Sequence, residues 1–222
     1  MQDLNPMRDR DPPVPASYAE ALKCPLIASP TTFKQSFETL RLSMATAEIL
    51  DDIRFLTFSI TSSDAQLSTS KIQSTASWLH KQLESVPVLI KTQRIPGDDL
   101  ILDIIRTTAL IYTNCIATLT PFTNAYTPSA LQSILSKIST VGLSRWKEIP
   151  GTFLWILLVA CPSSGNDLQG RFLKKKMAVT GMTIGMEDFG LAIGFLRAFW
   201  KVQRWVARER EKGVIDPVIL GQ

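Results

Sequence analysis

One stretch constrains this chain more than any other. Residues 146–161 read Trp-Lys-Glu-Ile-Pro-Gly-Thr-Phe-Leu-Trp-Ile-Leu-Leu-Val-Ala-Cys. Pro150 and Gly151 form a turn at its start, and proline suits the first position of a helix. Residues 152–161 then carry no charge and a single polar side chain, Thr152. A helix that is apolar on every side must be buried on every side. At about 1.5 Å per residue it reaches roughly 15 Å, half the hydrocarbon thickness of a bilayer, which is too short to span one. The expectation is a central core helix packed by amphipathic helices from the rest of the chain. Nothing in the segment can do chemistry, so function has to be sought on its neighbours.

Those neighbours are legible as helical stripes. Asp11, Pro12, Pro13 and Pro15 sit in an extended N-terminal tail, and Ser17 is placed to cap a short helix over residues 18–23. Phe33, Phe37, Leu40, Met44, Ala47 and Leu50 recur at helical steps, predicting one helix from Thr31 or Thr32 to about Ser59. Ile72, Ala76, Leu79 and Leu83 predict a second. Pro87 and Pro96-Gly97 frame a loop, and Asp98 is positioned to cap the next helix. That helix has a broad apolar face of Leu100, Ile101, Ile104, Ile105, Ile111, Tyr112 and Cys115. Asp103 and Arg106 interrupt it, which argues for a core helix rather than a membrane span.

Thr127-Pro128 is a cap followed by proline at the first helical position, and Leu131, Ile134, Leu135 and Ile138 continue as a stripe to Gly142. Asn166 or Asp167 caps a helix carrying Leu168, Phe172 and Met177, closed by Gly181. Glu187 and Asp188 fall in the first turn of a last helix with Phe189, Ile193, Leu196, Trp200 and Val206 on its stripe. Its charged end, residues 204–212, is expected to project into solvent. No strand-period segment occurs. The fold class expected is all-α, a single domain of about seven or eight helices around the buried central one. Its divisions are a tail at 1–16, the helical domain at 17–212 and a second tail at 213–222.

Composition narrows the function classes. The chain has 222 residues and is 45% hydrophobic, enough to bury a core without disulfides or metals. A net charge of +4 permits acidic partners without requiring them. Cys24, Cys115 and Cys161 lack metal-ligand spacing, and their odd number argues against a disulfide framework. No secretory signal pattern opens the chain, so an intracellular location, nuclear or cytoplasmic, is expected. His80 stands alone, without ligand-spaced Cys, Asp or Glu. Neither a Gly-x-Ser-x-Gly elbow nor a phosphate-binding glycine loop is present. The acidic pairs Asp51-Asp52 and Asp98-Asp99 sit at a helix end and a helix start, where capping and the macrodipole explain the second pair. No catalytic residue, metal ligand or cofactor is therefore predicted.

What remains is a basic C-terminal region. Residues 171–212 hold ten Lys or Arg against four Asp or Glu. Arg204, Arg208 and Lys212 recur at four-residue steps and share one helical face, with Trp205 beside them past the end of the apolar period. An aromatic anchor with a charged rim is how a partner contact reads, so Arg204, Trp205, Arg208 and Lys212 are the candidate partner-binding residues.

Residues 100–206 also resemble a known family. The likeness is carried by Arg-Thr-Thr-Ala-Leu-Ile-Tyr at 106–112, by Leu-Gln-Ser-Ile-Leu at 131–135, and most strongly by Trp146, Pro150-Gly151 and Leu-Trp-Ile-Leu-Leu-Val at 154–159. Phe172-Leu173 and residues 196–200 follow in order. Together they look like the helical C-terminal regulatory domain of fungal-specific transcription factors, which in full-length members follows a zinc binuclear cluster. That cluster requires six cysteines within about thirty residues, and this chain has three, far apart. The resemblance thus implies a stand-alone regulatory domain without its own DNA-binding module, of the kind found beside clustered metabolic genes. It would act through protein partners, with a homodimer among the alternatives. A second class stays open, a repurposed scaffold that binds or rearranges a hydrophobic metabolite by shape. A filled core with an exposed apolar patch favours the first, and a formed interior pocket the second.

Overall fold

Residues 16–62, 68–85 and 96–215 of the computed structural model are described. Residues 1–15 of the expected tail 1–16, and residues 63–67, 86–95 and 216–222, lie outside them. Every regular element among the described residues is helical. The order is α1 (Ala16–Ala21), α2 (Met44–Thr61), α3 (Thr69–Ser85), α4 (Pro96–Thr118), α5 (Pro128–Val141), α6 (Leu143–Trp146), α7 (Pro150–Ala160), α8 (Leu168–Glu187) and α9 (Phe189–Ile215). Two short 3-10 turns, Phe122–Asn124 and Cys161–Ser163, complete them. The structure is all-α, as expected, and α6 is a single extra turn.

Helix α7 is the centre. All eleven of its residues are buried, including Pro150, Gly151 and Thr152. Its first turn lies directly against the chain ahead of α2. A Cβ on Gly151 would fall 2.2 Å from the carbonyl oxygen of Leu22 and 2.5 Å from that of Lys23, so only glycine permits this approach. Trp146 stacks on Phe153 with ring centroids 4.6 Å apart, and its indole N–H donates to the Ile138 carbonyl at 3.0 Å. On another side, Trp155 meets Tyr112 edge-on at 6.1 Å, Tyr112 meets Phe122 at 5.7 Å, and Phe122 meets Phe199 at 5.1 Å. This row of rings joins α7, α4 and α9. Tyr112 and Thr57 share a buried 2.8 Å hydroxyl contact that ties α4 to α2.

Several boundaries differ from the sequence reading. The helix expected from Thr31 does not start until Met44. Ser43 caps it by accepting from the Thr46 N–H at 3.1 Å. Residues 31–43 fold instead as consecutive turns, with Arg41 in the left-handed region at φ 52°. Phe33 and Leu40 are still buried, which explains why their spacing imitated a helix. The break is held from elsewhere in the chain. Arg145 donates to the carbonyls of Leu40 at 3.0 Å and Arg41 at 2.6 Å, and the Asp51 carboxylate accepts from the N–H groups of Phe33 and Lys34.

α1 begins at Ala16, which places Ser17 inside it. α4 begins at Pro96, so Asp98 lies in its first turn rather than at its cap. Gly181 does not end α8, whose hydrogen bonds run on to the Asp188 N–H. Glu187 closes α8, and Asp188 opens α9 by accepting from the Leu191 N–H at 2.8 Å. α9 extends to Ile215, past the expected domain limit at 212.

Residues 100–118 of α4 are long and apolar enough by composition to cross a membrane. In the fold the same helix packs against α2, α3, α5 and α7, as a core helix does.

Candidate partner-binding surface

Helix α9 carries two interleaved sets of apolar residues. Ala192, Phe195, Ala198, Phe199, Val202, Trp205 and Val206 face inward. Phe189, Leu196 and Trp200 face solvent. Successive helical residues are about 100° apart, so a stripe anchored out of phase is turned towards the wrong side of the helix. This corrects the reading of the two tryptophans. Trp205 is 8% exposed and belongs to the core, whereas Trp200 is 56% exposed.

The charged end of α9 also differs from expectation. Rather than projecting freely, it folds onto the start of α3 through Glu209, whose carboxylate is buried. Thr69 donates to that carboxylate at 2.8 Å, and Lys212 and Arg208 reach it at 2.8 and 2.9 Å. Burial pushes the Glu209 carboxyl up, but the hydrogen bonds from Lys212, Thr69 and Arg208 outweigh it and hold the group at about 2. Arg208 and Lys212 are thus engaged within the domain. Of the four residues expected to meet a partner, only Arg204 remains on an outward face without a carboxylate.

Around Arg204 the structure assembles a different group. Its guanidinium lies over the Trp200 ring, 4.7 Å from the centroid. Arg197 and Lys201 follow on the same exposed face. None of the three cations makes an ion pair with a described acid. Two surface grooves flank them. One, about 290 Å³, lies between α2 and α9 and is lined by Phe58, Arg54, Arg197 and Lys201. The other, about 590 Å³, runs along Ile60, Trp200, Arg204 and Arg208, with Glu211 at its edge. An exposed indole held flat by one guanidinium, with further cations on either side, can stack on an apolar or aromatic group and pair with carboxylates.

The other polar clusters are accounted for by structure. His80 sits with Nδ1 3.0 Å from the Leu110 carbonyl, which can only accept, so that nitrogen carries the proton and links α3 to α4. Arg106 takes the carbonyls of Leu83 and Glu84 at the end of α3. Asp51 is occupied by Arg54 as well as by two backbone N–H groups. All three cysteines are buried free thiols. Burial pushes Cys115 up to about 12 and Cys161 to about 11, far from a reactive thiolate. No three described His, Cys, Asp or Glu side chains group closely enough to hold a metal.

Sequence reasoning missed Lys23, which is buried although no apolar period marks it. Its ammonium bonds the Thr32 carbonyl, Glu20 and the Ser36 hydroxyl. Burial lowers its pKa, with Glu20 acting in the opposite sense. All three donors are used, so Lys23 fastens the turns of residues 31–36 to the end of α1.

No family model, curated protein or solved structure matches the chain.

Proposed function

We propose that this chain is a regulator-like helical interaction domain without a DNA-binding module of its own, which binds an acidic segment of a partner protein on the outer face of α9. The resemblance to fungal transcription-factor regulatory domains supplies the class. The surface around Trp200 supplies the contact. The observation that carries the reading is the exposed Trp200 ring under the Arg204 guanidinium, with Arg197 and Lys201 exposed beside it. An aromatic anchor rimmed by cations fits a segment that offers carboxylates around an apolar residue, and the charges would steer and orient it. Widely separated, buried cysteines give no basis for a zinc cluster. A nuclear or cytoplasmic location goes with this role. The metabolite-binding alternative draws less support, because α7 is packed on all sides and the grooves described on α9 open to solvent.

The test is a titration of a labelled Glu- and Leu-rich peptide, followed by fluorescence anisotropy. Binding that weakens with salt, and that falls at least about tenfold in Trp200→Ala and in Lys201→Glu/Arg204→Glu, is expected. Melting temperatures should stay within about 2 °C, because these side chains are exposed. No binding to the native chain, or equal binding by the variants, would overturn the assignment.

A further inference from the structure

Helix α8 has two apolar faces, and the fold covers only one. Gly170, Leu173 and Ile184 are its buried residues, with Met177 packed beside them. On the opposite side, Leu168, Phe172, Lys175, Val179, Met182 and Met186 are all exposed, Met186 to 85%. Their spacing is four, three, four, three and four residues. This alternation averages 3.6 residues over its five steps and keeps the stripe on one face of the helix along its whole length, as a helix-to-helix contact requires. A surface helix normally turns its single apolar stripe inward and its polar residues outward. Here five of the six outward positions are large and apolar.

We propose that a second copy of this chain packs against the outer stripe of α8, with the two helices antiparallel about a two-fold axis near the helix midpoint. Three observations select this occupant. The 4-3 spacing is complementary to another helix with the same spacing, and a copy of α8 supplies it by symmetry. Lys175, the one charged residue in the stripe, favours the antiparallel direction. A parallel pair would set it directly against its own copy, whereas an antiparallel pair sets it opposite Val179, with its own copy offset by about 6 Å along the helix. The charge distribution agrees. The first half of α8 carries Arg171, Lys174, Lys175 and Lys176 and no acid, while Glu187 and Asp188 lie at its far end without a base. Antiparallel packing brings unlike ends together and also opposes the two helix dipoles.

A lipid surface is less well matched. It would take up the apolar stripe and the lysines, but the acidic end of α8 would be held against anionic headgroups. The stripe spans about 27 Å from Leu168 to Met186 and is roughly one helix wide, which places the contact at the low end of specific interfaces. Association is therefore expected in the micromolar range and to depend on concentration. It does not rest on the proposed role of α9.

Sedimentation velocity of the full chain across about 1–200 µM should show a monomer–dimer equilibrium. Val179→Glu and Met182→Glu should raise the dissociation constant at least about tenfold while circular dichroism and melting of the monomer stay unchanged, since both residues are exposed. Cysteine pairing then reads the direction with a short bis-maleimide, the native thiols being buried. Leu168→Cys and Met186→Cys should each fail to cross-link alone and should cross-link to one another when mixed. Overturning results are a monomer at every concentration, a dimer unaffected by Val179→Glu, or Leu168→Cys cross-linking to itself. Protein that remains monomeric and co-sediments with phosphatidylserine vesicles would overturn it in favour of a membrane contact.

Discussion

Replacing Glu209 by Gln removes one charge at the joint between α9 and α3 and leaves the side-chain size nearly unchanged. The Glu209 carboxyl is held at about 2 rather than its ordinary 4.5, which corresponds to at most about 3.5 kcal/mol of stabilisation at neutral pH. Its partners Lys212 and Arg208 are 61% and 64% exposed, so water and salt screen much of that. A loss of roughly 1–2 kcal/mol is the expected outcome. The pH dependence follows from the direction of the shift. A carboxyl with a depressed folded-state pKa contributes stability above its unfolded value and loses it as pH falls through the folded one. The gap between native chain and Glu209→Gln should therefore be widest at pH 6–7 and close progressively from about pH 4.5 towards pH 2. Urea titrations of tryptophan fluorescence at pH 7, 5 and 3 measure it. A gap below about 0.3 kcal/mol at pH 7, or one that widens on acidification, would refute the joint and return the end of α9 to solvent.

Two further substitutions probe the centre. Trp155→Ala should cost about 3–5 kcal/mol in the same titration, because the ring is fully buried and α7 cannot collapse into the space; a cost below about 1 kcal/mol would place α7 nearer a surface. Gly151→Ala should cost about 2–4 kcal/mol, since its methyl group would meet the Leu22 and Lys23 carbonyls well inside contact distance. Limited proteolysis should then cut first within residues 19–26, and a variant as resistant as the native chain would show that the two segments move apart freely.

Most of the core was readable because its elements carry one periodicity each. α7 needs burial on all sides and receives it. Thr127 and Pro128 start α5 as their chemistry predicts, the Thr127 hydroxyl accepting from the Ala130 N–H at 3.3 Å. Reading failed where two arrangements share a pattern. Phe33, Phe37 and Leu40 have helical spacing, but the left-handed Arg41 depends on Arg145, whose position no local window contains. α9 offers Phe195 and Phe199 inside and Leu196 and Trp200 outside, and periodicity cannot tell which set is covered. That ambiguity assigned Trp200 to the core and Trp205 to the surface, whereas the fold buries Trp205 and exposes Trp200. Arg208 and Lys212 were read as rim charges because nothing near them in sequence announces Thr69. The outer stripe of α8 was partly in view through Leu168 and Phe172, and only the fold reveals that the opposite face is the covered one.

The joint at Glu209 also has a consequence for how the protein is made. Thr69 and Glu209 are 140 residues apart, so at ordinary translation speeds of about 5–20 residues per second Thr69 waits roughly 7–28 s for its partner. Through that interval α2 and α3 lack the helix that will cover them, and for about its first half the left-handed turn at Arg41 also lacks Arg145, 104 residues downstream. On the ribosome the N-terminal half is therefore an unfinished surface until the last helix arrives. Substitutions in α9 should accordingly lower the yield of folded protein during synthesis more than they lower the stability of protein already folded.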